Sequence, residues 1–325
     1  KIEKIIKTSG HEFSARIVVP MDKTPKTGLL MLPGSGPTDK DWNSPSLRGN
    51  NGSGKAIAEL LAREGFCSIA FDKIKTTGNS YAGPIAWSNY LEDQKAALAA
   101  LREEVPSIER VFILGHSEGT LHAIRLFEAE ATHQKIDGLI LLAPTGRTLQ
   151  EIIISQITGQ IKKIPFISQS KKDVALKAFA RGLESIADGN PLSSRVLDLP
   201  FYLKKIYEVF SKQDTLAYSR EIFKYNPKEH LLNVTTPVLL IAAKKDQQAI
   251  YEKDALALFE YASEHGQEKV TLKVMKNSNH VFKYEEKPLE NLGIFDALSY
   301  NKATKVIDPE VIKTISDWLR NTPPI

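Results

Sequence analysis

The feature that most constrains the fold is a Gly-x-Ser-x-Gly motif with Ser117 at its centre. Four apolar residues, Val111 to Leu114, directly precede the motif, and an amphipathic run begins near Leu121. This order predicts a buried strand, a very sharp turn and a helix, which is the local structure of a nucleophile elbow. At such a turn the serine takes a strained backbone conformation, and the residues two positions away must be small for strand and helix to pass closely. Gly115 and Gly119 meet this requirement.

The predicted elbow presents the Ser117 hydroxyl above the carboxyl end of a sheet, where it can act as a nucleophile. The amide of Glu118 opens the following helix, whose N-terminus favours developing negative charge, so this amide is a candidate oxyanion donor. Gly-x-Ser-x-Gly by itself is a loose pattern that occurs by chance in long chains. The interpretation therefore depends on the flanking strand and helix, and on an acid and a base further along the chain.

A serine hydroxyl needs a base that takes its proton, and an imidazole base needs a carboxylate that fixes its tautomer. The chain order expected around an elbow of this kind is serine, acid, histidine. Asp246 follows the apolar run Val238 to Ala243, and we predict it as the acid. His280 follows the last strand-like run, Val270 to Met275, and we predict it as the base. The rival acid is Asp254, which falls within the next helical pattern, where we expect it to face solvent.

The second oxyanion donor is expected on the loop after the strand-like run Thr27 to Leu32, a loop rich in glycine and proline. We predict the backbone amide of Ser35, between Gly34 and Gly36, as this donor. The two glycines, together with His116 beside the nucleophile, are candidate residues of the substrate pocket. No group of side chains in the sequence implies a metal or an organic cofactor.

A second glycine-rich stretch, Gly49 to Ala56, nearly matches a phosphate-binding loop. The hydroxyl residue that would hold magnesium is replaced by Ala56, and no apolar strand precedes Gly49. We therefore expect these glycines to shape a loop before a helix rather than to bind a nucleotide.

The rest of the chain predicts an α/β fold. Strand-like and helix-like segments alternate up to Pro144 and resume at Val238, which is typical of a mostly parallel sheet flanked by helices. Between them, helical periodicities occur without a convincing strand. We predict a core in two parts, residues 1–146 and 232–325, with an inserted helical cap at residues 147–231.

The composition excludes several classes of protein. The apolar share of 42% is ordinary for a globular chain, and the longest apolar runs are far shorter than the roughly 20 residues of a membrane-spanning helix. The net charge of +4 comes from 43 basic and 39 acidic residues that are scattered along the chain, so no nucleic-acid surface is predicted. Because Cys67 is the single cysteine, an intrachain disulfide is excluded.

The chain starts directly in strand-like sequence, without a charged and then apolar leader, which favours the cytoplasm. A periplasmic or secreted location stays open, since a leader is removed from a mature protein. The oligomeric state also stays open. Whether the long segment from residue 283 to residue 307 covers the predicted site is also open on the sequence.

The chain resembles the α/β-hydrolase superfamily, and within it a branch of bacterial carboxylesterases related to serine-aminopeptidase-like hydrolases. The motifs that carry the resemblance span nearly the whole chain: Gly34 to Asp41, Asp72-Lys73 with Gly78 to Ser80, Gly115 to Gly119, Tyr225 to Pro227, Asp246-Gln247, Asn279 to Phe282 and Ile307 to Val311. Two places depart from the family pattern. Pro33 stands where a histidine is usual, and Ala242 to Lys245 precede the acid where a glycine is common.

The resemblance implies a serine hydrolase that cleaves carboxylic esters through an acyl-enzyme. It implies a triad of Ser117, Asp246 and His280 with an oxyanion hole formed by the amides of Ser35 and Glu118. The expected partner is a small-molecule ester, and a small or medium acyl chain is our expectation for it.

Two alternatives stay open on the sequence. The same triad could serve an aminopeptidase, an amidase or a thioesterase, and Asp39, Asp41 and Glu118 are the acidic residues that could hold a substrate ammonium. A binding protein of the same fold that captures a small ligand without turnover is the other alternative, although it would not need an intact set of serine, acid and histidine.

Overall fold

The computed structural model describes residues 1–44, 49–76, 81, 83–130, 135–162, 164–292, 300, 302 and 305–323. The motif Gly78 to Ser80, which contributes to the resemblance, lies outside the described residues.

Eight strands form one sheet in the described part of the chain. They are β1 (Ile2–Lys7), β2 (Glu12–Val18), β3 (Thr27–Leu32), β4 (Cys67–Phe71), β5 (Arg110–His116), β6 (Gly138–Leu142), β7 (Val238–Ala243) and β8 (Val270–Met275). Their spatial order is β1-β2-β4-β3-β5-β6-β7-β8. The pairings β1 with β2 and β2 with β4 are antiparallel, and all the others are parallel. The predicted mostly parallel α/β sheet is therefore confirmed.

Ten α-helices lie in the described part of the chain, and four of them, which begin at Ser53, Glu118, Ala257 and Pro309, contact strands of the sheet. The ten helices are α1 (Ser53–Arg63), α2 (Trp87–Glu104), α3 (Glu118–Glu130), α4 (Leu149–Lys162), α5 (Gln169–Ala187), α6 (Phe201–Ser211), α7 (Leu216–Lys224), α8 (Pro227–Leu231), α9 (Ala257–Glu264) and α10 (Pro309–Asn321). A π-helical turn, Glu252–Leu256, leads into α9. None of the described helices combines the length and the apolar composition needed to cross a membrane.

The contacts divide the chain into two compact units. The first consists of Lys1–Tyr81, Tyr90–Gly146 and Pro227–Ile325 and holds the sheet, and the second consists of Ala82–Asn89 and Arg147–Asn226. The second unit thus differs from the predicted cap by including residues 82–89 and by ending before α8. Helix α8 belongs to the first unit because it packs on α3, where His230 Nδ1 lies 2.7 Å from Glu128 Oε1.

The second unit is helical and has buried aromatic side chains of its own. Phe179, Tyr207 and Phe223 are almost fully buried. The Tyr207 hydroxyl donates a hydrogen bond of 2.6 Å to the carbonyl of Leu192, which satisfies its polar end. Helices α4 to α7 pack on one another around these side chains.

The centre of the sheet explains why the candidate residues meet. Strands β3, β6 and β7 are buried along their whole length, as expected of parallel strands covered on both faces. Because β3 and β5 to β8 all run in the same direction, the loops after them emerge at one edge. In open α/β sheets this carboxyl edge is where ligands bind.

Candidate active site

Ser117 lies at the turn between β5 and α3, with a backbone φ of +54°. A serine in this left-handed region costs about 1–2 kcal/mol, so surrounding contacts must hold the turn. The Ser117 N–H donates to the carbonyl of Leu142 on β6 over 2.9 Å. The Ser117 carbonyl accepts both the N–H and the hydroxyl of Thr120, at 2.9 and 2.6 Å. The strand, the sharp turn and the helix expected around Ser117 are present.

The two glycines of the motif are required by close backbone contacts. A methyl group on Gly115 would lie 2.3 Å from the carbonyl oxygen of Gly119. A methyl group on Gly119 would lie 2.4 Å from the carbonyl oxygen of Leu32, at the end of β3. Both distances are far below van der Waals contact with backbone atoms that cannot move aside. The spacing of the motif therefore reflects how closely α3 approaches β5 and β3.

The loop after β3 lies beside the serine. A methyl group on Gly34 would come within 3.3 Å of Ser117 Cβ. Thr38 closes the loop, because its N–H donates to the carbonyl of Gly36 and its hydroxyl to the carbonyl of Ser35, at 2.9 and 3.1 Å. Within the described residues, no hydrogen bond uses the Ser35 N–H. Gly34 thus adjoins the serine, and the predicted residues Ser35 and Gly36 follow it on the same loop.

Asp246 and His280 form a hydrogen-bonded pair across two neighbouring loops. His280 Nδ1 donates to Asp246 Oδ2 over 2.7 Å, and both side chains are buried. The other carboxylate oxygen of Asp246 accepts the N–H groups of Gln248 and Ala249, at 2.7 and 3.1 Å. The loops after β7 and β8 are joined further by the bond from the Lys245 N–H to the Ser278 carbonyl.

The loop of His280 is fixed by residues on both sides of it. Asn279 Oδ1 accepts the N–H groups of Val281 and Lys283, both at 3.1 Å. The carbonyl of Phe282, a residue with a φ of +60°, accepts the N–H of Asp308. Asp308 Oδ2 also accepts the Ser278 hydroxyl at 2.8 Å.

The start of α10 therefore braces the loop of His280, a role that the sequence does not indicate. The two ends of the long segment 283–307 pair with each other through a β-bridge between Lys283 and Ile307. Residues 293–299, 301, 303 and 304, on which the question of a cover over the site depends, lie outside the described residues.

The side chain of His116, the neighbour of Ser117, is buried rather than open to solvent. Its Nε2–H donates to the backbone carbonyl of His280 over 2.8 Å. Its ring stacks on the indole of Trp42, with centroids 5.2 Å apart and an interplanar angle of 17°. Burial, together with the nearby His280, lowers the pKa of His116 to about 3. The ring is therefore neutral near pH 7 and acts here as a hydrogen-bond donor.

Trp42 accounts for one glycine, Gly54, of the stretch that nearly matches a phosphate-binding loop. A methyl group on Gly54 would lie 2.4 Å from the Trp42 indole, so glycine is needed where α1 passes the ring. No local pattern in the sequence assigns a role to Trp42, because its partners are distant in the chain.

A buried ion pair lies under the elbow. Lys73 Nζ donates to the carbonyl of Gly34 at 2.9 Å and to Glu118 Oε1 at 3.0 Å. Both side chains are only about 5–6% exposed. Burial by itself would raise the pKa of the Glu118 carboxyl, but the Lys73 ammonium and His122 outweigh burial and hold that pKa below its usual range. Gln94 Nε2 donates to His122 Nδ1 at 3.0 Å, which directs the other ring nitrogen towards Glu118.

The acidic residues considered as a cradle for a substrate ammonium all have partners inside the protein. Glu118 is paired with Lys73. Asp41 contacts the Arg16 guanidinium. Asp39 accepts the N–H groups of Asp41 and Asn43 at 2.9 and 2.8 Å. The feature that favoured an aminopeptidase is thus accounted for by structural contacts.

The prediction that Asp254 faces solvent is wrong. Its side chain is fully buried, and its carboxylate accepts the N–H groups of Ile250 at 2.8 Å and of Gly146 at 3.3 Å. The widened π-helical turn around it brings this carboxylate inward. Helical periodicity could not reveal this, because the turn departs from the 3.6-residue repeat.

The arrangement brings a serine, a histidine and an aspartate to one sheet edge. Within the described residues, no hydrogen bond joins Ser117 Oγ to the His280 ring. Catalytic hydrogen bonds of this kind often tighten only around a bound substrate. The glycine loop lies beside Ser117, and the loops that carry Asp246 and His280 emerge at the same edge of the sheet. This edge can therefore support nucleophilic attack and proton transfer.

Comparison with known proteins points to one family. The model described as "Alpha/beta hydrolase family" matches residues 29–292. A curated relative, Esterase EstD of Thermotoga maritima, is 25% identical over 320 residues, which cover 98% of this chain and 67% of the relative.

Solved structures share the fold at low identity. The esterase Pf2001 of Pyrococcus furiosus is 17% identical with a TM-score of 0.56, and the match covers 99% of this chain and 90% of that one. Est1E of Butyrivibrio proteoclasticus, solved with ferulic acid bound, is 15% identical with a TM-score of 0.58 and covers 98% of both chains. A proline iminopeptidase of Mycobacterium smegmatis matches with a TM-score of 0.54 at 15% identity, over 98% of this chain and 100% of that one. Likeness at this level shows the fold alone.

Proposed function

Because the chain belongs to the alpha/beta hydrolase family, we propose that it is a serine hydrolase that cleaves carboxylic esters through an acyl-enzyme. The observation that carries the proposal is the 2.7 Å bond from His280 Nδ1 to Asp246 Oδ2, on loops that emerge at the same sheet edge as Ser117. The curated esterase relative supports an ester rather than another acyl compound as the substrate class.

In the proposed reaction, Ser117 Oγ attacks the ester carbonyl while His280 Nε2 takes its proton. Asp246 accepts the Nδ1–H of His280, which holds the tautomer with a free lone pair on Nε2 and stabilises the imidazolium. His280 then returns the proton to the leaving alkoxide. Water, activated by the same imidazole, hydrolyses the acyl-enzyme and regenerates the serine.

The amides of Ser35 and Glu118 are the proposed oxyanion donors. Gly34 lies against Ser117, and Glu118 begins α3, so both N–H groups belong to segments that adjoin the nucleophile. Donors of this kind are worth about 10²- to 10³-fold in kcat each. We propose small or medium acyl chains as the substrates, consistent with the small-molecule partner expected from the sequence.

The first test is labelling by a fluorophosphonate probe, with the modified residue read by mass spectrometry. We expect labelling of Ser117 in the native chain and none in Ser117→Ala. The matched control is Ser170→Ala, which removes an exposed serine on α5 and should leave labelling intact. Absence of labelling in a folded sample would favour a binding protein of the same fold.

The second test separates the acyl classes. p-Nitrophenyl esters of two to twelve carbons, acyl thioesters and aminoacyl anilides are compared by kcat/KM on the native protein. We expect the short and medium esters to be the best substrates. A higher kcat/KM on the anilides would replace the esterase proposal by a peptidase or amidase, and a higher value on the thioesters would indicate a thioesterase.

A further inference from the structure

Lys73 occupies a specific position relative to the proposed oxyanion hole. Its Nζ donates to the carbonyl oxygen of Gly34 at 2.9 Å. That carbonyl and the N–H of Ser35 belong to one peptide group, so in the trans form they point in opposite directions. The ammonium therefore binds one end of the peptide whose other end is the proposed donor.

A cation on a peptide carbonyl changes the donor at the other end. The ammonium draws electron density through the conjugated amide, which makes the N–H a stronger hydrogen-bond donor, as in any chain of hydrogen bonds that polarise one another. The effect is strengthened by burial, because the Lys73 and Glu118 side chains are only about 5–6% exposed and water screens them little.

The same ammonium binds the second proposed donor residue. Lys73 Nζ lies 3.0 Å from Glu118 Oε1, and Glu118 supplies the other amide of the hole. The carboxylate neutralises the buried ammonium, and its Oε1 also lies 3.7 Å from Nε2 of His122, whose Nδ1 accepts a hydrogen bond from Gln94. The Tyr90 ring lies below the ammonium, 5.4 Å from Nζ to its centroid.

We propose that Lys73 is a positioning residue for the oxyanion hole: it ties the loop of Ser35 to the first turn of α3 and strengthens the Ser35 N–H as a donor. This inference rests on the proposed function, because it presumes that an oxyanion forms between the two amides. Glu118 contributes the balancing charge through its side chain and a donor through its backbone.

The choice of variants follows from the ion pair. Lys73→Met alone leaves the Glu118 carboxylate buried without its ammonium, so loss of activity there could come from misfolding. The double variant Lys73→Met/Glu118→Gln removes the ammonium, its hydrogen bond to the Gly34 carbonyl and the counter-charge together, and it retains both backbone amides. Lys73→Arg is the rescue variant, because a guanidinium can still donate to the Gly34 carbonyl.

The first readout compares turnover with binding of a trifluoromethyl ketone, whose adduct with serine places an oxyanion in the hole. In the double variant we expect kcat and the ketone affinity to fall together by about tenfold to a hundredfold, less than loss of a whole donor, with KM nearly constant. Lys73→Arg should recover most of both. A folded double variant that binds the ketone as tightly as the native protein overturns the inference.

The second readout does not depend on activity. In protein labelled with ¹⁵N-serine, the Ser35 amide is assigned by its loss in Ser35→Ala, and its proton shift is compared between the native chain and the double variant. We expect an upfield shift in the double variant. An unchanged shift overturns the inference even if esters are hydrolysed, whereas a shift without any ester hydrolysis or ketone binding overturns the proposed function instead.

Discussion

His116 Nε2 donates a hydrogen bond of 2.8 Å to the backbone carbonyl of His280, so the residue next to the proposed nucleophile holds the loop of the proposed base. The two ring centroids are 4.9 Å apart. His116 thus links the turn of the proposed nucleophile to the loop of the proposed base.

Replacement of His116 by phenylalanine should weaken this link. His116→Phe keeps a ring that can stack on Trp42 but leaves the buried His280 carbonyl without this donor, at a cost of about 1–3 kcal/mol in unfolding free energy. We expect kcat/KM for an ester to fall about tenfold. His116→Gln is the matched control, since its amide can donate from nearly the same position as Nε2. Equal kcat/KM values for both variants would contradict the link.

The same residue gives a prediction for the pH dependence of stability. The folded-state pKa of His116 is lowered to about 3, against 6.5 for an unperturbed histidine. Between these values the unfolded chain binds more protons than the folded one, so this group's contribution is fully present above pH 6.5 and is lost as pH falls towards 3. Urea titrations of the native protein and His116→Phe should show a shallower pH slope in the variant. Parallel curves over this window would refute the assignment.

The strain at Ser117 predicts a trade between stability and activity. Ser117→Gly should raise the unfolding free energy by about 1 kcal/mol relative to Ser117→Ala, because only glycine adopts a φ of +54° without a steric penalty. Both variants should be inactive. The two variants differ only in Cβ, so their thermal and denaturant unfolding measures the backbone strain. An equal or lower stability of the glycine variant would show that the turn is not strained.

Asp246→Asn should reduce kcat by about 10⁴-fold with little effect on folding, by analogy with such changes in other triads. The asparagine amide would face His280 Nδ1 as a donor and stabilise the tautomer that cannot accept the Ser117 proton. Asp254→Asn is the control for the rival acid. It should lower stability, because Asp254 accepts two backbone N–H groups, yet keep kcat per folded molecule within a few fold. Active-site titration with the fluorophosphonate normalises both values.

Gly119→Ala should prevent the elbow from closing. Its methyl group would lie 2.4 Å from the carbonyl oxygen of Leu32, so we expect a loss of about 3 kcal/mol or more. Gly159→Ala is the opposite case, since the described structure has nothing within 4 Å of a methyl group at that exposed site on α4, and a gain of about 0.5–1 kcal/mol is expected. A differential scanning calorimetry series of the two variants checks the difference in sign.

The variants separate the chemistry of the site from the structure that supports it. The Ser117 and Asp246 variants address the chemistry, the Gly119 variant addresses the elbow, and the His116 variants address the support behind it. Failure of the chemistry with a stable elbow would leave the fold intact and move the function towards ligand binding.

Much of the site follows from local patterns in the chain. The apolar run before Ser117, the two glycines and the amphipathic run after it predict the elbow, because each of these signals lies within about a dozen residues. The alternation of strands and helices likewise predicts a parallel sheet, and the loops after the strands at Val238 and Val270 nominate Asp246 and His280.

Other residues could not be recognised in this way. Asp254 sits in a π-helical turn that breaks the helical repeat, so its burial contradicts the pattern around it. Trp42 and Lys73 acquire their roles from partners that are distant in the chain: Trp42 stacks on His116, and Lys73 pairs with Glu118.

The sequence by itself therefore determined the fold class, the elbow and the chain order of the candidate triad, since these depend on short-range periodicity and steric limits. Only the tertiary structure decided which side chains support Ser117, Asp246 and His280. The reason is that the spatial order β4-β3-β5-β6-β7-β8 places at one edge loops that are separated along the chain, and contacts between them have no local signature.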